Sequence, residues 1–154
     1  MSKTVVVFGS STGTCEAIAE KIGAKLGAEV VNVQDLNGDV LAADNILLGT
    51  STWGAGELQD DWYDGLGVVK GTDLSGKTVA IFGCGDSASY GDTFCSAMKE
   101  LYDAAKAAGA NVALKFIHPV RYVSRVVFIL IKLIFRYRYF FHKLSVYIYN
   151  SKTA

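Results

Sequence analysis

The chain has 154 residues, 51% of them hydrophobic, and a formal net charge of zero, which is about one domain with a core of its own. The zero conceals a division: all 15 acidic residues and eight Lys lie between Met1 and Lys115, a net −7, while Phe116 to Ala154 carries seven Lys plus Arg and no acid, a net +7. Three cysteines without a C-x-x-C pair (Cys15, Cys84, Cys95) exclude a disulfide framework and point to a reducing cytoplasm, and only two histidines, His118 and His142, exclude a zinc site.

In chain order, the apolar run Thr4 to Phe8 reads as a buried strand, Gly9 to Cys15 (G-S-S-T-G-T-C) as a tight loop, and Glu16 to Leu26 as a helix. A strand, a loop of glycines and hydroxyls and a helix N-terminus form an anion site, because the first N–H groups lack intrahelical partners and the dipole favours negative charge. The loop has no Lys or Arg, and it lacks both the G-K-[ST] ending and the G-x-G-x-x-G spacing, which argues against ATP and NAD. What remains is Ser10, Ser11, Thr12 and Thr14 with backbone N–H groups around one phosphate monoester. The plain alternative is an ordinary helix N-cap with a turn.

Further strands are expected at Glu29 to Val33, Asn45 to Thr50, Thr78 to Phe82 and Asn111 to Phe116, and helices around Gln59 to Leu66 and from Thr93 to Ala108, the latter stopped by Gly109. Strand and helix alternating at this spacing predict an α/β fold, a doubly wound parallel five-stranded sheet in three layers. Ligands of such sheets sit beyond the carboxyl ends of the strands. Loops Gly9 to Thr14, Thr50 to Gly56 and Gly83 to Gly91 follow the first, third and fourth expected strands, and they converge if the strand order is 2-1-3-4-5.

The second loop continues as T-S-T-W-G-A-G-E-L-Q (Thr50 to Gln59) and the third as G-C-G-D-S-A-S-Y-G-D (Gly83 to Asp92). Trp53 and Tyr90 stand among small loop residues, placed to hold a flat ring between them. Trp62 reads as packing beneath the second loop, and Cys84 and Cys95 as small buried fillers.

Together the phosphate loop, T-W-G-x-G-E-L-Q and F-G-C-G-D-x-x-x-Y-G-D resemble flavodoxin from Lys3 to Lys115, and G-E-L-Q-x-D-W resembles the long-chain type. The order 2-1-3-4-5 belongs to that resemblance. It implies non-covalent FMN and one-electron shuttling, with no catalytic or metal-binding residue. Ser10, Ser11, Thr12, Gly13 and Thr14 would hold the phosphate, with Cys15 where the family usually has a Thr, a weaker donor there. Trp53 would cover one ring face and Tyr90 the other, with Ser51, Thr52, Gly54, Ala55, Cys84, Gly85, Asp86 and Asp92 completing the site. Gly54 is the position whose carbonyl turns toward the ring when N5 takes up a proton. Glu57, Asp60, Asp61, Asp64, Asp86 and Asp92 place negative charge around the ring, which favours a low potential.

The implied partners are a flavodoxin reductase and low-potential oxidoreductases such as pyruvate:flavodoxin oxidoreductase, with no nucleic acid and a monomeric cytoplasmic protein. The competing readings are an NAD(P)H-dependent flavin or quinone reductase on the same fold, for which no second-pocket motif is present, and a non-functional truncated flavodoxin. The domain division is residues 1–118 as the FMN-binding domain and 119–154 as an atypical apolar, basic tail, in place of the expected polar insertion and closing helix. The abrupt change of character suggests a shifted or read-through frame. The rival is an interfacial helix that brings the tail into contact with a membrane, with Arg121, Arg125, Lys132, Arg136 and Lys143 along one stripe. A spanning helix is excluded, since the longest charge-free apolar run is Val126 to Ile131.

Overall fold

The computed structural model describes residues 2–113. The end of the last expected strand (114–116), the boundary near Pro119 and the tail 119–154 lie outside the described residues. The elements are β1 (Thr4–Gly9), α1 (Thr14–Leu26), β2 (Glu29–Asn32), 3₁₀ turns at Val33–Asp35 and Val40–Ala42, β3 (Asn45–Trp53), β4 (Glu57–Leu58), α2 (Trp62–Gly71), β5 (Thr78–Cys84), a 3₁₀ turn at Gly91–Thr93, α3 (Met98–Ala107) and β6 (Asn111–Val112).

The main sheet is parallel in the order β2-β1-β3-β5-β6, which is the expected 2-1-3-4-5. One strand is added: β4 pairs antiparallel with the end of β3, setting Thr52 opposite Leu58 and Trp53 opposite Glu57. Trp53 therefore closes a strand and does not sit in a loop. α2 starts at Trp62, three residues later than expected, and runs on to Gly71. α3 starts at Met98 and not Thr93, because the Gly91–Thr93 turn and the positive φ of Cys95 (57°) break the helical path. Gly109 has φ 87°, the left-handed conformation that ends a helix.

The strands are apolar on both sides, as a sheet covered on both faces requires. Val5, Val6, Val7, Ile46, Leu48, Val79 and Ile81 are at most 1% exposed. The register aligns Gly9 with Thr50 and Thr50 with Gly83, so these three share a face. A Cβ on Gly9 would strike the Trp62 indole, and one on Gly83 would come within 2.7 Å of the Met98 side chain, so α2 and α3 cover this face. α1 packs on β1, β3 and β5 from the other. Trp62 is completely buried, and its Nε1–H donates to the Gly49 carbonyl at 2.8 Å, so its large apolar surface is removed from water without leaving its one donor unpaired. It packs in the core beneath the second loop.

Candidate functional site at the carboxyl ends of the strands

In the register that aligns Gly9, Thr50 and Gly83, β1 ends opposite Thr50 and β5 opposite Ser51 while β3 runs on to Trp53, so the three chemistry-bearing segments leave the sheet at one edge. The first loop becomes α1 through Gly13, the N-cap residue, at φ 79°, a backbone conformation that a side chain disfavours. No side chain caps the helix. Its first N–H groups are left for a ligand or water, since the helical ladder begins with Ala17 N–H donating to the Gly13 carbonyl at 2.9 Å.

The Ser10 hydroxyl is buried without a hydrogen-bond partner, while Ser11, Thr12 and Thr14 are exposed. A hydroxyl left unpaired in this way costs about 1–3 kcal/mol unless something arrives to accept from it. Hydroxyls and open amides with no cation among them suit a phosphate, whose negative charge is also favoured by the helix dipole. Cys15 behaves differently. It is 1% exposed, and its thiol lies in the core beside that of Cys84, itself 4% exposed. Its backbone stands in the first turn of α1, and its side chain is buried in the core.

At the end of β3 Trp53 is 42% exposed, and its Nε1–H donates to the Ser51 hydroxyl at 2.9 Å. The Thr52 hydroxyl is buried and unpartnered. Gly54 and Gly56 turn the hairpin with φ of 47° and 115°, and Ala55 is exposed between them. In the third loop Asp86 accepts from the N–H groups of Ala88 (2.9 Å) and Ser89 (3.2 Å) and so shapes the turn that carries Tyr90. Tyr90 is 52% exposed, and Asp92 is exposed in the 3₁₀ turn that follows. Gly85 lies against Cys95, whose N would stand 3.4 Å from a Cβ at that position. Trp53 and Tyr90 are thus two of the few large apolar side chains left exposed among the described residues, one at the end of β3 and one on the third loop. That is an arrangement open to a planar ring.

Two further features carry no sequence signal. The Ser96 hydroxyl donates to the Gly56 carbonyl at 3.3 Å, tying the second loop to the segment before α3. Gln59 is 3% exposed, donates from Nε2 to Asp61 Oδ2 at 2.8 Å, and keeps an unpartnered Oε1 against Gly9 beneath the cradle. Amide donation from Gln34 and then Gln59 holds the Asp61 carboxyl below its ordinary range. A cavity of about 190 Å³ between the Val33–Asp35 turn and α2 contains no residue of the three loops. Among the described residues there is no cluster able to hold a metal and no helix long and apolar enough to cross a membrane.

The flavodoxin family model matches residues 6–122. Flavodoxin 1 of Azotobacter vinelandii is 41% identical over 124 residues, covering 75% of this chain and 71% of the relative, and Flavodoxin 1 of Escherichia coli K12 is 40% identical over 116 residues, covering 73% and 66%. The chain thus spans about two thirds of the length of these curated relatives. Among solved structures, Fusobacterium nucleatum flavodoxin bound to flavin mononucleotide superposes with a TM-score of 0.68 at 26% identity, over 73% of this chain and 69% of that one. Oxidised Flavodoxin 1 of Bacillus cereus gives 0.67 at 31%, over 74% and 81%. Fold, strand order and sequence agree over the same three quarters of the chain, and it belongs to the flavodoxin family of FMN-based electron-transfer proteins, which are not enzymes.

Proposed function

We propose that this chain is a low-potential one-electron carrier of the long-chain flavodoxin type, holding FMN non-covalently at the three loops. The observation that carries the reading is the buried, unpartnered Ser10 hydroxyl at the uncapped N-terminus of α1. Bound FMN supplies reversible one-electron transfer; the chain supplies binding, orientation and an electrostatic bias. Ser10, Ser11, Thr12 and Thr14, with the first-turn amides that Gly13 frees, hold the phosphate. Trp53 and Tyr90 cover the ring and limit its contact with water, and Ser51 orients Trp53 through the indole hydrogen bond. Thr52, Gly54, Ala55, Gly85, Asp86 and Asp92 line the ring side, while Cys15 and Cys84 contribute backbone.

Glu57, Asp60, Asp61, Asp64, Asp86 and Asp92 oppose added negative charge, and each 1.4 kcal/mol of such opposition lowers a one-electron potential by about 59 mV. The same acids suit a docking partner with a basic face. The partners are redox oxidoreductases, specifically a flavodoxin reductase and low-potential enzymes such as pyruvate:flavodoxin oxidoreductase, met by a monomeric carrier in the cytoplasm. Residues 1–118 form the FMN-binding domain, and 119–154 are an atypical tail.

Fluorescence-quenching titration tests the reading. One FMN binds per chain and FAD binds more weakly, because the cradle suits a terminal phosphate monoester. Ser10→Ala weakens FMN binding about tenfold, the loss of one hydrogen bond to a charged group. Equal affinity for FAD and FMN would refute the phosphate argument.

A further inference from the structure

Two of the three cysteines, one from α1 and one from β5, come together at the carboxyl edge of the sheet. Cys15 is the second residue of α1, directly after the cradle. Cys84 is the last residue of β5, directly before the third loop. Gly83 points to the α2 and α3 face, where it meets Met98, so the next side chain along the strand, that of Cys84, points to the opposite face. That is the face on which α1 packs against β5, and the Cys15 and Cys84 thiols are neighbours there. Both side chains are at least nine-tenths buried. The third thiol, Cys95, is half-buried in the turn before α3, in a left-handed backbone conformation and with its backbone near Gly85.

We propose that Cys15 and Cys84 are a redox-active pair that hydrogen peroxide converts to a disulfide, clasping the first turn of α1 to the end of β5. Cys84, at the open end of β5 and the less completely buried of the two (4% against 1% exposed), is the sulfur that meets the peroxide first; the contact with Cys15 also draws its thiol down. Its sulfur takes one peroxide oxygen as the O–O bond breaks, and the departing hydroxide leaves as water with the proton that Cys84 gave up. The Cys15 sulfur then attacks the Cys84 sulfenic acid, the S–O bond breaks, and hydroxide leaves with the Cys15 proton as a second water. Two thiols lose two electrons and the peroxide gains them. Desolvation holds the Cys95 thiol up at about 12, which keeps it protonated and out of the exchange.

The bond would join the cradle to the third loop and close the long chain segment between residues 15 and 84, so it restricts the unfolded chain and stabilises the fold. The test uses the full chain treated with hydrogen peroxide, then alkylated in denaturant and mapped by peptide mass spectrometry. The expected result is a Cys15–Cys84 linked pair, about 2 Da lighter than the two thiols, with Cys95 alkylated. The urea midpoint rises on oxidation and returns on treatment with dithiothreitol. Cys15→Thr and Cys84→Ser each abolish linkage and stabilisation, while Cys95→Ser retains both. Linkage of Cys84 to Cys95, a disulfide between two chains, three alkylated cysteines, a sulfinic acid at Cys84, or an unchanged midpoint in the linked protein would each overturn the proposal.

Discussion

At the scale of single residues, side chains of similar type take different positions in the fold. Trp62 and Trp53 stand nine positions apart; the first is fully buried, while the second is 42% exposed with its indole N–H held by Ser51. Removing an exposed ring lets water reach a bound flavin and solvate added negative charge, and aromatic stacking contributes roughly 0.5–1.5 kcal/mol per pair. Trp53→Ala and Tyr90→Ala are each expected to weaken FMN binding severalfold and to raise the potential of the lower-potential couple, measured by titration and by redox equilibration with dyes. Unchanged potentials in both variants would reduce these rings to packing. Cys95 offers a pH test. Burial first, and the neighbouring Cys84 charge second, hold its thiol up at about 12 from an ordinary value of 9.0. Folded Cys95 keeps its proton where the unfolded thiol ionises, so its contribution to stability is whole below pH 9 and is lost as the pH rises toward 12. Urea midpoints measured between about pH 8 and about pH 10.5 should therefore fall less steeply for Cys95→Ser than for the unmodified chain.

At the scale of elements, the hairpin of β3 and β4 links the second loop to the third. Gly56 sits at φ 115°, its carbonyl accepts from Ser96, and a Cβ there would strike the Ser96 hydroxyl and approach Thr93 to 3.5 Å. Gly56→Ala combines a disfavoured backbone with a steric push between the two loops, a cost of about 1–3 kcal/mol. We expect a lower urea midpoint and an FMN dissociation constant raised by more than that of Gly67→Ala, a helical control whose Cβ meets nothing within 4 Å. Equal FMN affinity in the two variants would show that the loops need no such tie. β4 itself has only two residues and no period of its own; it forms because β3 runs on to Trp53 and the glycines return the chain against it.

At the scale of the whole molecule, charge and topology act together. The head between Met1 and Lys115 carries a net −7, and several of its acids border the edge where the strand ends converge. Long-range attraction of this kind is screened over about 8–10 Å at physiological salt. Reduction of the FMN-loaded protein through a flavodoxin reductase should therefore slow as ionic strength rises, in stopped-flow measurements, while NADH or NADPH alone gives no turnover. A rate independent of salt would remove the docking role from the acidic face, and direct nicotinamide oxidation would return the chain to the reductase class.

The sequence by itself determined what is local. Five strands, the helices between them and the three loops follow from runs of Val, Ile and Leu, from helical periodicity and from glycines at turns, because each of these preferences acts over a few neighbouring residues. The strand order and the candidate cofactor came with three motifs in the right order. Tertiary structure alone decided what depends on distant residues meeting. The apolar and helix-like stretch from Thr93 was expected to be helical, yet it turns irregular up to Met98, where Ser96 reaches Gly56 and Cys95 takes a positive φ. Cys15 was expected to reach the phosphate only as a weak donor, because it stands where the resembling family usually has a Thr. The packing of α1 on the sheet turned its thiol inward to Cys84, 69 positions along the chain, and no local pattern encodes a contact whose partner is set by the register of β5 against its neighbours.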